Sequence, residues 1–199
     1  YLLNIKTFGL YSVSFIETSL LWIVNRREYL RTWWDLSRGA NVIWGCSTIA
    51  LGAVLIGVNY QESLISLALH AFCIGAFIAG WFAINDLLDI DIDRVNHPKR
   101  PLPSDSISLR AAKKYGHRMI ILSAVSLIAI VLNEPDFSDL AWLDSVAVWL
   151  VALLIMIAYE LDGPYNPALK KRIMWGNLAI ASTIAITILF GAAAIDHFG

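Results

Sequence analysis

The chain has 199 residues and a formal net charge of −1, with 58% hydrophobic and only 16% charged residues. Its mean hydropathy is +0.63, whereas a soluble domain carries about 25% charged residues, so lipid is the expected solvent. A near-neutral balance gives no basic field for nucleic acid, and two isolated cysteines, Cys46 and Cys73, exclude a disulfide scaffold or a cysteine metal site.

A membrane-spanning helix needs about 20 mostly apolar residues. The first candidate, Phe8–Val24, is the weakest: it carries Glu17 and several polar residues, so it either spans or lies in the interface. Asn41–Val58, Leu64–Ala83, Met119–Leu132 with its flanks, and Val146–Tyr159 are of the right length and hydrophobicity. Leu178–Ile195 is a fifth block, rich in small residues. No short rhythm of strand and turn appears. The expected fold is an all-α polytopic helical bundle with five membrane helices, six if residues 8–24 cross. A first residue of Tyr1 instead of Met reads as processing or a fragment.

Charge orients the bundle. Arg26, Arg27, Arg31 and Arg38 precede the second block, Arg94 to Arg118 form a second basic loop, and Lys170, Lys171 and Arg172 form a third. The span count puts all three on one side. The intervening loops hold Glu62 on one hand and Glu134, Asp136, Asp139 and Asp144 on the other, without Lys or Arg. The positive-inside rule makes the basic side cytoplasmic.

Asn85-Asp86-Leu87-Leu88-Asp89-Ile90-Asp91-Ile92-Asp93-Arg94 closes an apolar helix on that side. Residues at i, i+4 and i+8 share a helix face, so Asn85, Asp89 and Asp93 align, Asp86 lies beside them, and Asp91 points away. Carboxylates on one stripe repel, and such a cluster at a membrane boundary suits bound cations. Mg²⁺ takes oxygen ligands and is usually completed by substrate phosphates, which makes Asp86, Asp89 and Asp93 the candidate ligands. An EF-hand fails because Arg94 stands where glycine is needed. The next loop, Asn96-His97-Pro98-Lys99-Arg100-Pro101-Leu102-Pro103-Ser104, cannot be helical and holds Lys99 and Arg100 near the acids. Cations beside such a site suit an anionic phosphate ligand. Arg110, Lys113 and Lys114 are more simply topological, His97 reads as a loop residue, and Ser108 is a candidate N-cap.

These residues carry a resemblance. The NDxxDxxxD run with its Pro-Lys-Arg-Pro-Leu-Pro loop resembles the first signature of the UbiA superfamily of intramembrane prenyltransferases. Ser37-Arg38-Gly39-Ala40-Asn41 is similar to that family's Arg-and-Asn start of its first helix. Tyr165-Asn166-Pro167-Ala168-Leu169-Lys170-Lys171-Arg172, followed by Gly176-Asn177, is similar to its Tyr–Lys region and the GN that opens its fifth helix. The similarity runs from about Trp34 to Ile195, leaving residues 1–33 as an N-terminal extension and 34–199 as part of a prenyltransferase domain.

The resemblance implies nine helices around a cavity open to lipid. It implies an Mg²⁺-dependent transfer of an isoprenyl group from an allylic diphosphate to a lipophilic or aromatic acceptor. Asn85, Asp86, Asp89 and Asp93 would be catalytic; Lys99, Arg100, Tyr165, Lys170, Asn41 and Asn177 would meet the diphosphate. Asn41, Asn85 and Asn177 would converge on one polar pocket or act as interhelical glue. The family's second aspartate motif follows the fifth helix, beyond Gly199, and Glu160 and Asp162 precede the Tyr–Lys region and do not replace it. This stretch alone is therefore expected to be inactive. Terpene cyclisation on the same scaffold, or an inactive membrane scaffold, are the alternatives. A CDP-alcohol phosphotransferase lacks its Asp-Gly…Ala-Arg signature here. An ion pathway would place acids at mid-membrane on several helices.

Overall fold

The computed structural model describes residues 26–57, 60–133, 140, 142–162 and 168–195. The Phe8–Val24 segment lies outside them. Among the described residues every regular element is helical: α1 (26–36), α2 (Gly39–Ile56), α3 (Tyr60–Leu88), α4 (Ile90–Asn96), α5 (Leu109–Leu132), α6 (Trp142–Glu160) and α7 (Ile173–Ala193), with a 3₁₀ turn at Leu169–Lys171 before α7. Five helices are long and apolar enough to cross a membrane: Gly39–Ile56, Leu64–Leu88, Leu109–Leu132, Trp142–Glu160 and Ile173–Ala193. The chain is a polytopic all-helical membrane protein.

These helices carry no narrow apolar stripe. α2, α6 and α7 are apolar nearly all round, the signature of a helix in lipid or in a core. Large side chains such as Ile43, Leu55, Ile65, Leu154 and Leu189 face outward. At 1.5 Å per residue, the 29 residues of α3 run about 44 Å, longer than a hydrocarbon core of about 30 Å. Asn85 and Asp86 lie in the last turn of α3.

α3 is the central helix, packed against α5 on one side and α2 on the other, and α7 lies beside α2. Ile49, Cys73, Ile74, Phe77, Leu127, Ile130, Trp149 and Phe190 form the main core. Polar pins join the helices within it: Trp149 Nε1 donates to Ser123 Oγ at 2.9 Å, His70 Nε2 lies 2.9 Å from Ser145 Oγ, and the Thr48 and Thr187 hydroxyls are 2.7 Å apart. Such bonds average about 0.6 kcal/mol in a membrane protein, so packing holds the bundle and the pins set its register.

A second apolar cluster, Leu36, Ala83, Leu102, Ile107 and Ala112, sits beneath the proline loop. Leu102 is 1% exposed and ties that loop down against α3. The Ser108 side chain accepts from the Ala111 amide at 3.2 Å and caps α5. α5 begins at Leu109, ten residues before the apolar block does, because its basic first turns are helical too. α7 likewise begins at Ile173, so Gly176 and Asn177 lie within its first turns.

Candidate active site

The starts of α2 and α7 and the ends of α3 and α6 meet at one end of the bundle. The acidic run is not one continuous helix there: α3 stops at Leu88, and α4 starts at Ile90 after Asp89, whose φ is −97° and ψ 11°. The register survives the bend, because the Asp89 amide donates to the Asn85 carbonyl at 2.9 Å and the Asp93 amide to the Asp89 carbonyl at 2.8 Å. Asn85, Asp86, Asp89 and Asp93 therefore stay on the inward side. Asp91 is 91% exposed beside Arg94.

The inward acids divide into two groups. Asp86 and Asp93 share arginines: Arg38 Nη2 donates to Asp86 Oδ1 at 2.9 Å, and Arg100 Nη1 lies 2.6 Å from Asp93 Oδ2 and 3.8 Å from Asp86 Oδ1. Arg38 also lies over the Phe82 ring, 4.5 Å from its centroid. Asp89 belongs to the other group. Lys170 Nζ lies 2.7 Å from Asp89 Oδ1 and 2.5 Å from Glu160 Oε2. Asn85 Nδ2 donates to Asp89 Oδ2 at 3.0 Å and to Glu160 Oε1 at 2.6 Å. Burial lowers the affinity of Lys170 for its proton. The hydrogen bonds from Lys170 to Asp89 and Glu160, with the two negative charges, outweigh that and leave its pKa above the ordinary lysine value.

Two spaces adjoin the cluster. A vestibule of about 470 Å³ is lined by Asp35, Arg38, Asp86, His97, Lys99 and Arg100, among others. On the bundle side, a cavity of about 450 Å³ runs between α2, α3, α6 and α7. Asn41, Trp81, Phe82 and Met156 line it near the charged cluster, and Thr48, Ile74, Phe77 and Thr187 line it deeper in. Phe82 to Ile74 along α3 spans about 12 Å. An ionic cluster at the head of an apolar cavity can hold a phosphorylated head group while its hydrocarbon lies in the bundle.

The UbiA prenyltransferase family matches residues 46–198. The chain belongs to that family. It is 32% identical over 165 residues to the digeranylgeranylglyceryl phosphate synthase of Saccharolobus solfataricus, covering 83% of this chain and 52% of the relative. The synthase of the same name from Ignicoccus hospitalis is 30% identical over 165 residues, again 83% of this chain and 48% of the relative. A solved structure from work on the biosynthesis of digeranylgeranylglyceryl phosphate synthase in membranes superposes with a TM-score of 0.68 at 29% identity, covering 85% of this chain and 55% of that one. The chain thus spans about half the length of the curated relatives it matches.

Within this UbiA-family bundle the motif residues have distinct surroundings. Asn85, Asp86, Asp89, Asp93, Arg100 and Lys170 are brought together. Lys99 is exposed on the vestibule wall and forms no ion pair among the described residues. The three asparagines have different surroundings: Asn85 is held in the cluster, Asn41 lines the apolar cavity and Asn177 is exposed on the first turns of α7. The latter two are solvent-accessible, so neither needs a buried partner. Tyr165 lies outside the described residues. Two members of the cluster, Arg38 and Glu160, are not among the site residues expected from the sequence. Arg38 is signalled in the sequence by the Arg-and-Asn start of α2, with no role attached to it there, and it adopts a positive φ of 47°. Glu160, with a side chain 2% exposed, shows in the sequence only as a lone acid ending an apolar run.

No group of three or more acids, histidines or cysteines among the described residues forms a cation cage. The inward acids instead bracket cationic nitrogens in pairs, Asp86 with Asp93 around Arg100 and Asp89 with Glu160 around Lys170. Hard oxygen donors presented two at a time match the habit of Mg²⁺, which binds one or two carboxylates and completes its shell with water and phosphate.

Proposed function

We propose that the protein transfers an isoprenyl group from an allylic isoprenyl diphosphate to a lipophilic acceptor within the membrane, the acceptor being a glyceryl phosphate lipid of the kind named in its relatives. The observation that carries this reading is the charged cluster of Asp86, Asp89, Asp93, Arg38, Arg100 and Lys170 at the head of an aromatic-lined apolar cavity. Residues 34–199 form part of the transferase domain, with residues 1–33 as an extension, and the basic loops and the site face the cytoplasm.

The chemistry follows from the cluster. Ionisation of an allylic C–O bond leaves negative charge on the departing diphosphate and positive charge on the isoprenyl carbon. Lys170, Arg100 and Arg38 supply cationic donors that strengthen as the leaving group gains charge. Lys99, on the vestibule wall, steers the incoming anion, and Asn41, Tyr165 and Asn177 complete the polar rim around the donor. Asp86, Asp89 and Asp93 would hold Mg²⁺, which when bound neutralises the diphosphate as it leaves. Phe77, Trp81 and Phe82 present aromatic surface along the cavity, which favours a cation by π contact. The dry walls keep water from quenching it.

The test uses the full-length protein in membranes with labelled geranylgeranyl diphosphate and a glyceryl phosphate lipid. Asp89→Ala and Asp93→Ala should each abolish Mg²⁺-dependent diphosphate release, and outward-facing Asp91→Asn should stay within about twofold of wild type. Full activity in both alanine variants would sink the site assignment. A cyclic hydrocarbon in place of a transfer adduct would replace transfer by cyclisation.

A further inference from the structure

Glu160 is a buried acid of the cluster, lies outside the motif of the proposed donor site, and touches both a motif residue and Lys170. Its side chain is 2% exposed. Both its oxygens are engaged, Oε1 by Asn85 Nδ2 at 2.6 Å and Oε2 by Lys170 Nζ at 2.5 Å. It sits on the last residue of α6, a rigid helix, whereas Lys170 sits in the short 3₁₀ turn Leu169–Lys171. Lysine is a point charge on a flexible four-carbon stem and loses rotamer entropy when fixed.

We infer that Glu160 is a positioning residue for the proposed diphosphate site: it anchors the Lys170 ammonium against α3. This rests on the donor-binding reading given above. The reason for a second acid lies in the division of labour around Lys170. Asp89 holds the ammonium at 2.7 Å, but Asp89 is also a motif carboxylate that would turn to Mg²⁺ in the proposed donor site. Once it does, Glu160 is the remaining carboxylate that keeps Lys170 in place. Asn85 fixes Glu160 in turn, so α6, the turn before α7 and the end of α3 are joined through one buried acid. Two carboxylates around one ammonium also leave this group with a net negative charge. The Asp86–Asp93 group is balanced by Arg38 and Arg100.

The experiment is a double-mutant cycle on the full-length protein in membranes, with KM measured separately for geranylgeranyl diphosphate and for the acceptor lipid. Glu160→Gln keeps the shape and one acceptor oxygen but removes the charge. Loss of a charged hydrogen bond should raise the donor KM by about tenfold and leave the acceptor KM within about twofold. Lys170→Gln should do the same. The double variant should be no worse than Lys170→Gln alone, because a residue acting through another adds nothing once that other is gone. Additive losses, or a drop in kcat with the donor KM unmoved, overturn the inference. Where Glu160→Gln does not fold, the double variant, which removes both charges together, carries the comparison with Lys170→Gln. An equal donor KM supports the inference and a further rise overturns it. Failure of the double variant to fold while Lys170→Gln folds also overturns it, since Glu160 would then serve the fold and not the lysine. A wild-type protein with no transfer counts against the proposed function, whereas additivity in an active protein counts against this inference alone.

Discussion

Arg38 Nη2 donates to Asp86 Oδ1 at 2.9 Å across 48 residues of sequence, joining the start of α2 to the last turn of α3. Asp86 is 3% exposed and its next cation, Arg100, stands 3.8 Å away. Removing one partner of a buried ion pair costs about 3–5 kcal/mol when the other charge is left alone. Arg38 is itself 31% exposed and Arg100 remains, so Arg38→Ala should cost less, about 1–3 kcal/mol, read as a lower midpoint of thermal unfolding in detergent. Arg38→Lys keeps the charge but loses the planar stack on Phe82 and should fall between the two. A midpoint unchanged in Arg38→Ala would mean that the pair is incidental.

The seam between α2 and α7 depends on two glycines. A Cβ added at Gly52 would fall on the Ile188 carbonyl oxygen, and one at Gly191 on the Ile49 carbonyl oxygen. Small residues allow backbones to approach this closely in membranes. Overpacking costs about 1–3 kcal/mol, and backbone atoms cannot yield as a flexible side chain does. Gly191→Ala should lower the unfolding midpoint and Ala50→Leu, on the exposed face of α2, should not. The seam also walls the cavity, so the same variant should lose turnover. Wild-type stability in Gly191→Ala would place the two helices further apart than described.

How much of this was legible in the sequence depends on the range over which each interaction acts. Lipid demands a continuous apolar length, so the five spans stand out as runs, and their ends slip only where polar turns such as Arg110–Arg118 continue a helix. The inward stripe of Asn85, Asp89 and Asp93 and the outward Asp91 follow from helical spacing, and the bend at Asp89 leaves them intact because both flanking backbone bonds are kept. The partners are another matter. Glu160 is 75 residues from Asn85 and Arg38 is 48 from Asp86, and such pairings are set by how helices pack, which no local pattern encodes. The repulsion expected among the acids is real, but protein cations relieve it. For Asn41 and Asn177, proximity to a span end gives the level in the bundle, and the lining of the cavity and the exposure on α7 come from the packing.

The cavity between α2, α3, α6 and α7 holds about 450 Å³, and the proposed donor's chain lies in it. Ile184 is among its lining residues on α7. Ile184→Trp adds bulk within the cavity without touching the charged cluster. Turnover of geranylgeranyl diphosphate should fall by about tenfold or more, since overpacking of 1–3 kcal/mol acts against the longer chain. Geranyl diphosphate, which needs less of the cavity, should be used nearly as well as by wild type. Equal losses for both donors would show that the hydrocarbon lies elsewhere.

Lys170 makes a prediction about pH. Its pKa is raised above the ordinary lysine value by its bonds to Asp89 and Glu160. A raised cationic group contributes fully below its unfolded pKa of about 10.4 and loses its contribution as pH rises through the folded value. Donor binding through Lys170 should therefore be constant from neutral pH to about 9 and weaken only beyond the ordinary lysine range. Asp162 has the opposite sign: Lys171 and the Ala168 amide hold its pKa below the ordinary value, so its contribution is present above about pH 3.9 and fades only in acid. The check is the donor KM between pH 7 and 11 for wild type and for Lys170→Arg, whose guanidinium stays charged throughout. The two profiles should run parallel to about pH 10 and then diverge, wild type rising while the arginine variant stays level. Divergence already near pH 8 would mean that Lys170 titrates in the neutral range and that its two carboxylate partners do not hold it as described.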